Sequence, residues 1–390
     1  MEMEKRVIER AKDLESYIIE KRRDFHQNPE LRFEEVRTSQ IVEEELKNLG
    51  YEVKRTAGTG VVALLDGGKG GKTVALRADM DALPVEEEND VPYKSKVPGK
   101  MHACGHDAHT AMLLGAAKIL SEIREELKGK VKLIFQPAEE GGAGAKKVVE
   151  EGHVDDIDAI FGIHVWAHIP SGVIATRRGP FMASSDGYVI KIRGKGGHAA
   201  SPHLAIDPTN PATDIYNALQ KIVSRYVNPL YPVVISTPVL KGSQGYNVIP
   251  DEAEITGTLR TFDMEVRERI IKKIQDIVKG YSMAWDCEGS FELFRVSYPP
   301  TVNTPELADF AIEVAKDLGP VTEAEMTMGA EDFAFYLQKV KDAFIFLGVR
   351  NEEKGIIYPH HHPRFNVDEE VLWKGTALYA LLAYRYLRDR

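Results

Sequence analysis

The chain has 390 residues, 43% of them hydrophobic and 28% charged, and a formal net charge of −10. That length exceeds one ordinary compact domain, so two domains with sizeable cores are expected. The acidic balance argues against nonspecific nucleic-acid binding. No segment offers the roughly 20 uninterrupted apolar residues of a membrane span, and the mixed-charge start MEMEKRVIERAKDLE is unlike a signal peptide.

Val7, Ile8, Ala11, Leu14 and Ile18 recur at helical spacing and predict one amphipathic helix over residues 3–26. A second helix holds Ile41, Val42, Leu46 and Leu49 and is ended by Gly50. Strands at 61–66, 73–79, 131–136 and 158–164 then alternate with helices at 108–121 and 143–151. This rhythm predicts an α/β core with a largely parallel or mixed sheet covered by helices. From residue 186 the pattern changes to strands near 187–193, 232–241, 252–261 and 290–298 with helices near 208–226 and 263–283. That βαββαβ order is the split βαβ (ferredoxin-like) arrangement. After Pro299 and Pro300 the first rhythm resumes, with a helix from residue 305, a strand at 344–349 and a helix at 367–388. The middle block, 186–296, therefore reads as an insertion into a discontinuous domain of 1–185 and 297–390. The two cysteines, Cys104 and Cys287, are too few for a disulfide framework and suit a reducing, cytoplasmic setting.

Polar clusters fall where the core strands end. Asp79 and Asp81 close one strand, Glu139 and Glu140 follow another and His164 ends a third, so their side chains are expected at one rim of the sheet. In HACGHDAH (102–109), Cys104, His106, Asp107 and His109 lie just ahead of a helix, and a thiolate beside imidazoles suits zinc or another borderline metal. A buried cysteine beside a hydrogen-bonded histidine, or a cysteine nucleophile with a histidine base, are the alternatives. In PAEEGG (137–142) an irregular loop could turn both glutamates inward, one towards a metal and one to accept a proton from water. His360, His361 and His362 add further imidazoles in a late loop.

Taken together, RRDFHQNPEL (22–31), LRADMDALP (76–84), MHACGHDAHTAMLLG (101–115), QPAEEGGAGA (136–145), GIHVW (162–166), GKGGHAASPH (194–203), NVIPDEAEITGTLR (247–260), MGAEDF (328–333) and HHPRF (361–365) resemble the M20 metallopeptidases. The resemblance is to the branch of aminoacylases, hippurate hydrolases and thermostable carboxypeptidases. It implies a mixed-sheet, zinc-peptidase-like catalytic domain with an inserted lid that also serves dimerisation. It further implies two divalent ions per subunit, zinc first and manganese, cobalt or nickel as alternatives, held by Cys104, His106, Glu140, His164 and His361. Glu139 matches the general base and Asp81 a carboxylate that orients the site. His198 matches a lid histidine that steadies the oxyanion, in cis or from a partner subunit. Asn247 and Arg260 match residues that grip a substrate carboxylate, and Gly329 lies in a loop near the site. The implied reaction is hydrolysis of N-acyl-L-amino acids or of the C-terminal residue of short peptides, by a homodimer or homotetramer. Deacetylation of N-acetyl-diaminopimelate, a Cys104-based hydrolase and a noncatalytic metal-binding protein are the alternatives.

Overall fold

The computed structural model describes residues 2–389. The chain divides into two compact units. The first comprises residues up to Phe181, Val302–Glu325 and everything from Asp332, and the second Met182–Thr301 with Met326–Glu331. The segment Met326–Glu331, which carries Gly329, thus groups with the second unit, whereas the sequence assigned it to the first.

Numbered along the chain, the principal strands of the first unit begin with β1 (Glu52–Thr56), β2 (Gly60–Asp66), β3 (Lys72–Asp79), β4 (Gly129–Gln136), β5 (Ala159–Pro170) and β6 (Ile174–Thr176). The second unit contributes β7 (Asp186–Arg193), β8 (Val233–Lys241), β9 (Glu252–Thr261) and β10 (Glu288–Leu293). The first unit then adds β11 (Val321–Glu323) and β12 (Lys341–Arg350).

Eight strands of the first unit form a mixed sheet in the order β1-β2-β4-β3-β5-β12-β6-β11. Its centre, β4-β3-β5-β12, is parallel, and these strands are buried along nearly their whole length, as parallel strands covered on both faces must be. Helices His106–Glu122 and Leu372–Asp389 pack on each other and on β3. The first of these is buried at every position from His106 to Ala117, most of its surface being apolar. Asp79 pairs with Gln136 at the ends of β3 and β4, and Arg77 pairs with Gly162 of β5. The register therefore brings Asp79, Gln136 and the neighbourhood of His164 to one level of the sheet.

Two expectations are corrected. The single helix expected over 3–26 is two, Glu2–Asp13 and Glu15–Gln27, broken at Leu14 with φ −86° and ψ 1°. Val7, Ala11, Leu14 and Ile18 are all buried, so the apolar stripe runs through the break and hides it. His164 does not end its strand, since β5 continues to Pro170.

In the second unit the sheet order is β8-β9-β7-β10, antiparallel throughout, and helices Thr209–Arg225 and Met264–Ala284 cross it. Ile215, Leu219 and Ile222 of one helix and Ile270, Ile274 and Val278 of the other meet Tyr188, Ile190, Ile255 and Leu259 in a core of its own. Asp263 starts the second helix by accepting the N–H of Val266 at 2.9 Å.

Candidate metal centre

Three backbone corners set the geometry. Gly105, at φ 89°, turns the chain into the helix His106–Glu122, and a Cβ there would fall 2.4 Å from Val165 Cγ2. Only glycine therefore lets Cys104 and His106 stand side by side. The loop after β4 is framed by two left-handed alanines, Ala138 (φ 57°, ψ 44°) and Ala143 (φ 53°, ψ 46°), with Glu140 non-helical between them. Each such alanine costs about 1–2 kcal/mol unless the surroundings hold it. Asp81 does part of the holding by accepting the N–H of Glu139 at 3.0 Å and of Glu140 at 2.9 Å. His361 sits at φ 66°, fixed by its N–H to Ala103 O at 2.8 Å.

These corners gather the side chains. The donor atoms of Cys104, His106 and His164 lie within 4.8 Å of one another, and so do those of Cys104, Glu140 and His361. Cys104 is common to both triads. His164 donates from Nδ1 to Val165 O at 2.6 Å, leaving Nε2 facing Cys104 Sγ at 3.5 Å. His106 Nδ1 is held by Asp81 Oδ1 at 3.2 Å, while its Nε2 is buried without a hydrogen-bond partner. His361 Nε2 lies 3.2 Å from Glu140 Oε1. Imidazoles locked through one nitrogen with the other lone pair turned inward have the form expected of metal ligands.

Three further histidines of the two motifs, His109, His360 and His362, are committed elsewhere, whereas both ring nitrogens of His102 are buried without a hydrogen-bond partner. His109 Nδ1 pairs with Asp79 Oδ1 at 2.6 Å and its Nε2 accepts the N–H of Val165 at 2.9 Å. His360 Nε2 accepts from Ala167 N at 3.1 Å, with its ring against Trp166 and Phe365. His362 Nδ1 accepts from Arg364 N at 3.0 Å and its ring stacks on Tyr358.

Beneath the site a buried polar network supports Glu139. Arg77 reaches Asp79 at 2.8 Å and Asp332 at 2.9 Å, and Gln136 donates to both oxygens of Asp332 at 2.9 Å. The N–H of Asp332 donates to Glu139 Oε1 at 3.2 Å. In the sequence Asp332 stands inside MGAEDF with no role of its own; 196 residues separate it from Gln136, and no local spacing signals the pairing.

The electrostatics of the cluster follow from burial and crowded carboxylates. Burial, then the carboxylates of Glu140 and Glu139, push the Cys104 thiol well above its usual range. Burial would lower His106, but Asp79 and Asp81 outweigh it and raise the ring to about 10. Burial, then His109 and His360, hold His164 well below the ordinary histidine value. A thiol, a neutral imidazole and carboxylates crowded together are a donor set that a divalent cation would neutralise.

His198, Asn247, Arg260 and Gly329 all belong to the second unit. His198 is exposed, on a two-residue strand in register with Val248, and Ala199 N donates to Asn247 O at 3.1 Å. Its Nδ1 accepts the N–H of Ala200 at 3.0 Å, which leaves Nε2 as the protonated donor of the neutral ring. Arg260, on β9, is lowered from its usual value by burial.

The model of peptidase family M20/M25/M40 matches residues 75–385. Thermostable carboxypeptidase 2 of Saccharolobus solfataricus is 46% identical over 380 residues, covering 96% of this chain and 97% of that protein. N-acetylcysteine deacetylase of Bacillus subtilis is 41% identical, covering 94% of this chain and 96% of its own length. Among solved structures, the YXEP protein of Bacillus subtilis, described as a dinuclear metal binding peptidase from the M20 family, superposes with a TM-score of 0.85 at 37% identity, covering 97% and 99% of the two chains.

Proposed function

The chain belongs to peptidase family M20/M25/M40, and from that premise we propose how its residues share the work of cutting an amide bond. The protein is a metal-dependent hydrolase acting on amides. The carrying observation is the pair of donor triads that meet at Cys104. They fit two cations: Cys104, His106 and His164 would hold one, and Cys104, Glu140 and His361 the other. The orphaned, buried Nε2 of His106 supports that fit. Zinc matches the mixed S, N and O donors best, with manganese, cobalt and nickel as alternatives. When bound, such ions polarise the amide carbonyl and bring the pKa of water towards neutrality.

Glu139 is the general base. It takes a proton from the attacking water and returns it to the leaving nitrogen, and the acid formed passes its own proton to the amine, so that amide and water become carboxylate and ammonium. Its Oε1 is oriented by Asp332 N–H, and Asp81 fixes its backbone. His198 Nε2–H is in the correct tautomer to donate to the carbonyl oxygen as negative charge develops there. Arg260, a partly buried guanidinium, and Asn247 bind the free carboxylate of the substrate. The second unit acts as the lid that carries these three groups. Assembly into a homodimer or homotetramer through it is the proposed quaternary state.

The substrate class is N-acyl-L-amino acids or short peptides cut at the C-terminal residue, which both set an amide beside a carboxylate. The cytoplasm is the proposed compartment, consistent with two unpaired cysteines. Among the described residues no helix is long and apolar enough to cross a membrane. Cys104 as nucleophile gains no support, because without a cation its surroundings keep the thiol protonated.

The test is hydrolysis of N-acetyl-L-methionine, N-benzoylglycine, N-acetyl-diaminopimelate and alanylphenylalanine, with and without chelator. Chelator-sensitive release of amino acid, restored by zinc, manganese or cobalt, supports the reading. Turnover that ignores chelation overturns it.

A further inference from the structure

Three consecutive backbone amides of the loop, those of Ala138, Glu139 and Glu140, donate to side-chain carboxylates. Two go to Asp81, and the first goes to Glu35, whose Oε1 accepts Ala138 N–H at 2.9 Å. The other oxygen of Glu35 accepts the hydroxyl of Thr59, which follows the tight turn at Ala57 and Gly58. Glu35 is fully buried, and among the described residues no basic side chain lies within ion-pair distance of it. A carboxylate placed so is costly. Burial, aided by the nearby charge of Asp81, pushes it up to about 7 against the pull of Thr59 and the loop amide. Its neighbours touch the same loop: Arg32 Nη1 donates to Glu140 O at 3.1 Å, and a Cβ on Gly142 would come within 3.1 Å of the Phe33 ring.

We infer that Glu35 is a positioning residue for Glu139, acting by holding the amide of left-handed Ala138. Alanine adopts that conformation only at a cost of about 1–2 kcal/mol, and Ala138 is the hinge immediately before the proposed base. Without the carboxylate the hinge relaxes towards ordinary backbone angles and swings Glu139 away from its place beside Asp332. Asp81 still holds the next two amides, so the metal-type donors remain gathered. Glu35 thus governs the aim of the base and not the capture of the ions. This rests on the reading of Glu139 as general base.

The experiment compares Glu35→Ala, Glu35→Gln and the double variant Glu35→Ala/Ala138→Gly in the full, metal-loaded protein, with N-acetyl-L-methionine as substrate. For Glu35→Ala, kcat should fall by roughly 10- to 100-fold, as misplacement of a reacting group by about 1 Å allows, with KM and metal content near the parent's. Glu35→Gln keeps an acceptor for Ala138 N–H and should retain most of kcat. Adding Ala138→Gly should recover a large part of the loss, because glycine takes the left-handed angles freely. Parental kcat in Glu35→Ala, or loss of bound metal in both single variants, overturns the inference. If Glu35→Ala does not fold, Thr59→Val, which removes only the partner of the second oxygen, carries the test: reduced kcat at unchanged KM supports it, and parental kcat overturns it. Glu139→Gln is measured alongside. Turnover there overturns the reading of the base itself, whereas parental kcat in Glu35→Ala beside an inactive Glu139→Gln overturns Glu35 alone.

Discussion

Asp81 Oδ1 lies 3.2 Å from His106 Nδ1 and commits that nitrogen, so the ring can offer a cation only its other, unpartnered one. A carboxylate in this position fixes the tautomer and strengthens the donor. Asp81→Ala is expected to weaken metal affinity by about 10- to 100-fold, read by competition with a chromophoric chelator. Parental affinity would contradict the assignment.

The first unit is tied together by Arg22, whose side chain is fully buried with Asp107 at 2.9 Å and Glu369 at 3.1 Å. Asp107 also accepts His26 at 2.7 Å. Arg22→Met leaves the buried Asp107 with an apolar chain in place of its guanidinium, a loss of about 3–5 kcal/mol. The midpoint of denaturant unfolding should drop accordingly, and an unchanged midpoint would show that the network is slack.

Asp342 gives a pH signature away from the site. Burial pushes its carboxyl up to about 8, although Thr304 donates to it through N–H at 3.2 Å and Oγ1 at 3.3 Å. The folded state therefore keeps a proton that the unfolded chain releases near about pH 4. Its contribution to stability is full below that value and is lost as pH rises through the window up to about 8. Asp342→Asn cannot ionise, so its melting temperature should rise relative to the parent's as pH climbs through that window. A constant difference between the two would exclude this group as a source of pH dependence.

Arg260 is assigned to a carboxylate on the substrate. Arg260→Met should cut kcat/KM by about 100-fold or more for an N-acyl amino acid, the loss of a charge-assisted pair being worth roughly 3 kcal/mol. The corresponding N-acyl amino acid carboxamide should be turned over equally by both proteins. Equal losses on acid and carboxamide would remove Arg260 from that role.

Much of this architecture was legible where physics is local. The change from helical to strand periodicity located the central strands, and apolar runs through Leu76, Leu133 and Ile163 marked them as buried. Cys104, His106, Glu139 and Glu140 stood out because metal-binding and glycine residues cluster beside them. The break at Leu14 was invisible, because a kink need not interrupt an apolar stripe. Asp332, Glu35 and Arg77 were missed for another reason. Each acts through partners set by sheet register or loop packing: Glu35 meets Ala138 103 residues away. His109 carried the same signal as His106, and only the hydrogen bonds to Asp79 and Val165 separate their roles.

The role of Glu139 is tested most directly by steady-state hydrolysis of N-acetyl-L-methionine by Glu139→Gln, with the metal-to-protein ratio measured on the same sample. Parental metal content is expected, with a kcat lower by about 100- to 10,000-fold, the range of a lost general base. Near-parental turnover with the ions in place would contradict it.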